Sequence, residues 1–129
     1  MKLFLSIFFL FLLCVSCENN SESVTEIQSM LNKINLVDSC SRNSEININI
    51  LHFGNNGCCS YSRYASTISQ DTFIITMFQK MRSKKGMMCT MNLPIFETNL
   101  SIKPIKNGWN YFKFTGIENQ IISDSTWVY

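Results

Sequence analysis

The sequence predicts a mainly β protein: a small antiparallel β-sandwich or open barrel preceded by one short N-terminal helix. Three observations lead to this prediction. Apolar and polar residues alternate in several short segments, which is the period of a half-buried strand. Turn signals rich in Gly, Asn and Pro separate these segments. The chain has 129 residues, 46% of them hydrophobic, which suits one compact domain rather than two.

The predicted helix covers residues 23–34. It begins with Ser23 and Glu26 in the Ser-x-x-Glu spacing of a capping box, in which side chains and backbone satisfy each other's free groups. The apolar positions then recur at helical spacing, at Val24, Ile27, Met30 or Leu31, and Ile34. We expect this stripe to pack onto the domain, with a partner-facing or membrane-facing role as the alternative.

The first predicted strand follows a polar segment. Ile46, Ile48 and Ile50 alternate with asparagines and lie on one face of a strand that ends at the turn 54–57. Residues 60–71 are rich in Ser, Tyr and Thr, and we interpret them as a loop or an irregular edge. Residues 71–81 form the second alternating strand.

A basic segment ends this second strand. Lys80, Arg82, Lys84 and Lys85 precede Gly86, and residues 82–86 are predicted to form a turn. A solvated hairpin tip is the favoured interpretation, and a patch for nucleic acid or another anionic surface is the alternative. Because the whole chain carries a formal charge of only +2, we expect no nucleic-acid partner.

Three further strands complete the predicted sheet structure. Residues 87–91 begin a third strand that Pro94 ends, and residues 96–102 form a fourth alternating set. Residues 106–108 (Lys-Asn-Gly) predict a hairpin, followed by a fifth strand over 109–114 and a last short strand over 127–129. The stretch 100–116 resembles the penultimate hairpin of many immunoglobulin-like modules. This resemblance implies a β-sandwich and no particular activity.

The first 16 residues have the form of a signal peptide. Lys2 supplies a positive start, and residues 3–13 are almost continuously apolar. That run is too short to span a bilayer as a helix, which needs about 20 residues, and it suits the apolar core of a cleaved leader. No other apolar stretch is long enough to span a membrane, so we expect the remainder to be exported.

The leader ends in a short motif around Cys17. The run Leu13-Cys14-Val15-Ser16-Cys17 resembles the lipobox of bacterial lipoproteins, although Cys14 stands where Leu is usual. The resemblance implies cleavage before Cys17 and acylation of its thiol, which would anchor the protein to the cell envelope as an outer-membrane or cell-surface lipoprotein. Residues 17–22 then form a polar tether, and residues 23–129 form one disulfide-stabilised domain. Secretion without lipid is the alternative.

Four cysteines lie within the predicted domain. An even number of cysteines in a small exported chain predicts a disulfide framework. Neighbouring side chains in an extended segment point in opposite directions, so Cys58 and Cys59 are expected to have separate partners. We expect either Cys58 or Cys59 to bond Cys89, and the other to bond Cys40.

A soft-metal site is the alternative use of these residues. Thioether, thiol and imidazole groups that suit Cu(I) are present at His52, Cys58, Cys59, Met87, Met88, Cys89 and Met91. Their spacing matches no metal motif, and alternating methionines usually belong to a core. The prediction is therefore that the protein has no metal and no cofactor.

Nothing in the sequence indicates catalysis. His52 is the single histidine, so any Ser-His or Cys-His mechanism must use it, and its position at a strand end favours a structural role. Phosphate-loop, dinucleotide-binding and hydrolase motifs are missing. We therefore predict a non-enzymatic binding or structural module.

Aromatic residues are the best indication of a ligand. They occur at Tyr61, Tyr64, Trp109, Tyr111, Trp127 and Tyr129. Some should belong to the core, and those that are exposed are suited to a protein or a glycan ligand.

Overall fold

The structure is a computed structural model that describes residues 21–129. The predicted leader and Cys17 lie outside this range. The described residues form nine strands in two sheets, with one 3-10 turn and no helix of seven or more residues. Within this range, no helix is long and apolar enough to cross a membrane. The prediction of a mainly β protein is confirmed.

The strands divide unequally between the two sheets. The larger sheet contains β1 (Ser23–Gln28), β3 (Ser39–Cys40), β5 (Cys59–Ser69), β6 (Thr72–Ser83), β8 (Gly108–Thr115) and β9 (Ile121–Val128). The smaller sheet contains β2 (Met30–Leu36), β4 (Ile46–Phe53) and β7 (Ile95–Ile102) in the order β2-β4-β7, and it is antiparallel.

The larger sheet is a curled mixed half-barrel built around β6. One side of β6 pairs with the antiparallel β5, and the other side pairs with the antiparallel β1 and the parallel β8. β9 pairs with β8, and β3 pairs in parallel with β9. The predicted purely antiparallel arrangement is therefore wrong for this sheet, because β6 and β8 are joined by a connection that passes through the smaller sheet.

The core lies between the two sheets. Alternate residues of β4 face alternate residues of β6 and β8, as their period of two requires. The rings of Phe73 and Phe112 stack with their centroids 4.8 Å apart. The largest fully buried apolar side chains are Ile46, Ile48, Ile50, Ile75, Met77, Phe112 and Phe114. Burial of each such side chain contributes about 1.5–3 kcal/mol.

The predicted helix over residues 23–34 is wrong, because this segment consists of β1 and β2. The chain leaves the larger sheet at Ser29 and continues in the smaller sheet, and a bulge shifts the register between Leu31 and Lys33. The crossover and the bulge place Ile27, Leu31 and Ile34 on the inner side, at spacings of four and three. Two strands thus reproduce the apolar spacing of a helix.

Two further segments differ from the sequence prediction. Residues 60–71, expected as a loop or irregular edge, largely belong to β5, which pairs only with β6 and has a register shift between Tyr61 and Arg63. The edge position is confirmed and the loop is wrong. The predicted strand over 87–91 is absent, because residues 84–94 form an exposed irregular connection.

The predicted hairpin at residues 106–108 is a turn between the sheets. β7 pairs with β4, whereas β8 pairs with β6 and β9. The buried Asn110 organises this turn. Its Oδ1 accepts a hydrogen bond from the backbone N–H of Ile105 at 2.9 Å, and its Nδ2 donates to the carbonyl of Lys106 at 2.8 Å. Gly108 adopts a φ of +90°, a conformation that glycine tolerates best.

Residues 21–129 contain one disulfide, between Cys58 and Cys89, with the Cα atoms 5.3 Å apart. It is one of the two pairings that the sequence left open. Cys59 is buried at the start of β5, opposite Met81, so its thiol points away from the Cys58 side. The expected second bond is not formed, because Cys40 lies on β3 at the far edge of the larger sheet from β5. Cys40 and Cys59 both have free thiols.

Candidate functional site

Three large aromatic side chains lie together on the outer face of the larger sheet, and we call Trp109, Tyr111 and Trp127 the aromatic patch. Along β8, Trp109 and Tyr111 are exposed, whereas Asn110 and Phe112 are buried. Trp109 is paired with Trp127 across β8 and β9, and their ring centroids are 5.3 Å apart in an edge-to-face arrangement. The exposed fractions are 48% for Trp109, 48% for Tyr111 and 43% for Trp127.

The backbone beneath the patch is fixed by buried polar side chains. Asn110, next to Trp109, holds the turn that precedes β8. Thr126, next to Trp127, is fully buried, and its hydroxyl donates a hydrogen bond to the carbonyl of Val37 at 2.7 Å. These hydrogen bonds hold the backbone next to each indole in place. Binding therefore costs little backbone entropy at Trp109 and Trp127.

Polar groups surround the aromatic patch. Ser125 is the cross-strand partner of Tyr111 on β9, and Thr72 is its partner on β6. Lys106 forms an ion pair with Asp71 at 2.6 Å, at the turn that leads into β6. A site that combines aromatic faces with hydroxyl groups binds ligands that have both apolar and hydrogen-bonding surfaces.

Two of the remaining aromatic candidates lie on β5, and the third follows β9. Tyr61 belongs to β5 and packs edge-on against His52, with ring centroids 5.6 Å apart. Tyr64 is exposed on the same strand. Tyr129 is exposed just beyond β9. The sequence identified all six aromatic residues, but the pairing of β8 with β9 determines that Trp109, Tyr111 and Trp127 form one patch.

His52 is fully buried in the smaller sheet. Its Nε2 lies 3.1 Å from Thr98 Oγ1, and its ring contacts those of Tyr61 and Phe96. Among the described residues, its Nδ1 has no hydrogen-bond partner.

Burial of His52 leads to a testable pH dependence. Desolvation lowers the pKa of His52 below its ordinary value of 6.5. His52 in the unfolded chain therefore binds a proton at a higher pH than His52 in the folded protein. Its contribution to the free energy of unfolding is fully present above about pH 6.5 and decreases as the pH falls below that value. We expect urea denaturation to show a decrease of up to about 1.4 kcal/mol per pH unit in this range.

The variant His52→Leu should lose this slope below about pH 6.5. Glu26 provides the internal comparison, because hydrogen bonds from Ser62 and Arg63 lower its pKa from 4.5. The contribution of Glu26 to the free energy of unfolding is therefore lost only at more acidic pH, and this loss should be the same in the variant and the parent. A slope that persists unchanged in His52→Leu would contradict the assignment.

The structure places the soft-ligand candidates in different environments. Cys58 and Cys89 are bonded to each other, and Met88 and Met91 are almost fully exposed. In residues 21–129, no group of three or more His, Cys, Asp or Glu side chains is arranged to hold a metal ion.

The outer face of the smaller sheet carries an asparagine ladder that was not predicted from the sequence. Asn35 Nδ2 donates to Asn49 Oδ1 at 3.0 Å, and Asn49 Nδ2 donates to Asn99 Oδ1 at 2.8 Å. The ladder borders a shallow groove of about 380 Å³. Its amides are largely satisfied by one another, so the aromatic patch is the stronger candidate for ligand binding. Asparagines alternate with isoleucines in β4, and this pattern could have indicated that the asparagines share the outer face of the strand.

Comparison of the chain with family models, curated proteins and solved structures gave no significant match. The functional interpretation therefore depends on the residues and their arrangement.

Proposed function

We propose that this protein is a lipid-anchored module of the cell envelope that binds a glycan, without catalysis, through the aromatic patch. The observation that carries the proposal is the exposure of Trp109, Tyr111 and Trp127 side by side on a rigid sheet face. Aromatic rings stack on the apolar C–H faces of sugar rings, and the hydroxyls of Ser125 and Thr72 complement sugar hydroxyls. A protein ligand is the second possibility for the same patch.

The position of the patch within the sheet supports an anchored role. Ser23, at the start of β1, pairs with Ser83 at the end of β6, whereas Tyr111 pairs with Thr72 at the beginning of β6. Ser23 and the patch therefore lie near opposite ends of β6, roughly 36 Å apart at about 3.3 Å per residue. A lipid at Cys17 would leave the patch directed away from the membrane.

The Cys58–Cys89 disulfide supports export, because such bonds persist mainly outside the cytosol. Lipidation of Cys17 and the envelope location are parts of the same proposal. The alternative is a secreted protein without lipid. The intact mass of the mature protein distinguishes them: a chain that begins at Cys17 and carries acyl groups supports the anchor, and an unmodified mass contradicts it.

Ligand binding can be followed by fluorescence, because Trp109 and Trp127 are the two tryptophans of the chain and both belong to the patch. Titration with a panel of soluble oligosaccharides and with polysaccharide from the host envelope should shift the emission for the correct ligand. Trp109→Ala and Trp127→Ala should each weaken binding about 10-fold or more, as expected for a central aromatic contact.

The matched control is Tyr64→Ala, which removes an exposed aromatic ring from β5, outside the patch. It should bind as the parent does. If every glycan leaves the emission unchanged, or if a glycan binds equally well to the double variant Trp109→Ala/Trp127→Ala by calorimetry, the proposed glycan site is contradicted.

A further inference from the structure

The connection between β6 and β7 exposes apolar side chains at one end of the molecule. We call residues 84–93 the methionine loop. Met88 is 94% exposed and Met91 is 95% exposed, which makes them the two most exposed large hydrophobic residues of the described chain. Met87 and Leu93 are also exposed. Exposed apolar groups concentrated in one loop indicate a contact with a partner or a membrane.

Basic side chains accompany the methionines. Lys80, Arg82, Lys84 and Lys85 are all exposed. Acidic groups nearby are Glu22, 3.8 Å from Arg82, and Glu26, which bonds Arg63 and Ser62. The loop itself has no acidic residue and carries Lys84 and Lys85, so its charge is complementary to an anionic surface.

The methionine loop is anchored to the domain at several points. The Cys58–Cys89 bond fixes its middle, and the backbone N–H of Gly57 donates to the carbonyl of Thr90 at 2.9 Å. At its end, the N–H of Gly54 donates to the carbonyl of Pro94 at 2.9 Å. Met88 and Met91 therefore flank a fixed point, which lowers the ordering cost of a contact.

The start of β1 lies at the same end of the molecule. Ser23 pairs with Ser83, and its hydroxyl donates to the Ser83 carbonyl at 3.3 Å, immediately before the methionine loop. The six residues from Cys17 to Ser23 extend at most about 20 Å. An acyl chain on Cys17 would therefore enter the bilayer close to Met88 and Met91.

We infer that the methionine loop is a membrane-contacting surface for an anionic phospholipid bilayer. Met88 and Met91 enter the headgroup region, and Lys84 and Lys85 pair with lipid phosphates. A second contact point beside a lipid anchor fixes the orientation of the domain and keeps the aromatic patch directed outward. The orientation rests on the proposed anchor, whereas the affinity of the loop for anionic lipid does not.

The test uses the mature chain with Cys17→Ser, so that no acyl group contributes. Its co-sedimentation is measured with vesicles of phosphatidylcholine mixed with phosphatidylglycerol and with vesicles of pure phosphatidylcholine. We expect binding to the anionic vesicles that weakens with added salt. Lys84→Gln/Lys85→Gln should lower the partition coefficient about 10- to 30-fold, and Met88→Ser/Met91→Ser should lower it about 10-fold.

Matched controls lie at the opposite end of the domain. Ile68→Ser removes an exposed apolar side chain near the β5–β6 turn, and Lys103→Gln removes an exposed charge after β7. Both should bind vesicles as the parent does. Because the loop is exposed, its variants should retain the parent's thermal unfolding, which verifies that they fold.

The inference is overturned by absent vesicle binding, by equal binding to both kinds of vesicle, or by loop variants that behave like the controls. It is also overturned if the methionine variants change the oligomeric state without any vesicle binding, because the loop is then a contact between copies. Intact mass tests the anchor separately, so a chain without lipid at Cys17 and a loop without lipid affinity are distinguishable failures.

Discussion

Replacing both cysteines of the disulfide, as Cys58→Ala/Cys89→Ala, should lower the free energy of unfolding by about 3–4 kcal/mol. The bond joins residues separated by 31 positions, so it restricts a long loop in the unfolded chain. That restriction is lost when the bond is removed, while the core between the two sheets is left intact. Urea denaturation of the parent and the variant under non-reducing conditions measures the difference.

Cys40→Ala is the matched control. Cys40 is partly buried and has a free thiol, so its replacement removes a cysteine without removing a cross-link. We expect this variant to lose at most about 1 kcal/mol. If the double variant lost no more than Cys40→Ala, the disulfide would not restrict the unfolded chain in solution.

The same double variant should also loosen the methionine loop. Apart from the disulfide, backbone hydrogen bonds at Thr90 and Pro94 hold this loop to the turn 54–57. Lys84 and Lys85 are exposed trypsin sites. Cleavage after these residues should become faster in the double variant than in the Cys40→Ala control, because local opening of the loop then costs less.

Strands whose alternation continues through a whole element could be predicted from the sequence. Ile46, Ile48 and Ile50 are buried on one face of β4, as their period of two indicates. The alternation in residues 71–81, 96–102 and 109–114 likewise corresponds to β6, β7 and β8. In these segments the local pattern and the final burial agree, because each strand has one face on the core.

The errors occurred where the chain changes sheets. The apolar spacing of residues 23–34 combines two strands, a crossover at Ser29 and a bulge, and this combination has the period of a helix. The hairpin predicted at residues 106–108 was wrong, because the Lys-Asn-Gly sequence favours a turn but contains no information on the sheet that the next strand joins. Sheet membership depends on contacts between residues distant in sequence.

The same limit applies to the candidate site. Trp109 and Tyr111 could be placed on one face of a strand from their spacing alone. Their neighbour Trp127 depends on the register between β8 and β9, which the sequence did not determine. Similarly, the strand predicted at residues 87–91 proved to be an exposed loop, because the disulfide and the turn 54–57 determine its course.

Replacing Gln79 with Met should lower the free energy of unfolding by about 2–4 kcal/mol. Gln79 lies on β6 and is fully buried. Its Oε1 accepts from the N–H of Asn55 at 3.0 Å, and its Nε2 donates to the carbonyl of Gln28 and to Asn55 Oδ1, each at 3.0 Å. Methionine fills a similar volume, so the measured loss should come mainly from the orphaned groups of Gln28 and Asn55.

Gln28→Met is the control, since the Gln28 side chain is exposed on β1 while its backbone carbonyl still accepts from Gln79. It should change stability by no more than about 0.5 kcal/mol. A loss in Gln79→Met as small as in this control would mean that water replaces the missing bonds.

Gln79 and the disulfide act on the same structural unit, so their effects should not add. Gln79 fixes Asn55 in the turn 54–57, and that turn bonds Thr90 and Pro94 of the connection that Cys89 anchors. Once either link is removed, the other holds a segment that is already loosened. The triple variant Cys58→Ala/Cys89→Ala/Gln79→Met should therefore lose less than the sum of the two separate losses, by about 0.5 kcal/mol or more. Full additivity in urea denaturation would show that the turn and the disulfide stabilise the domain independently, and the methionine loop would then depend on the disulfide alone.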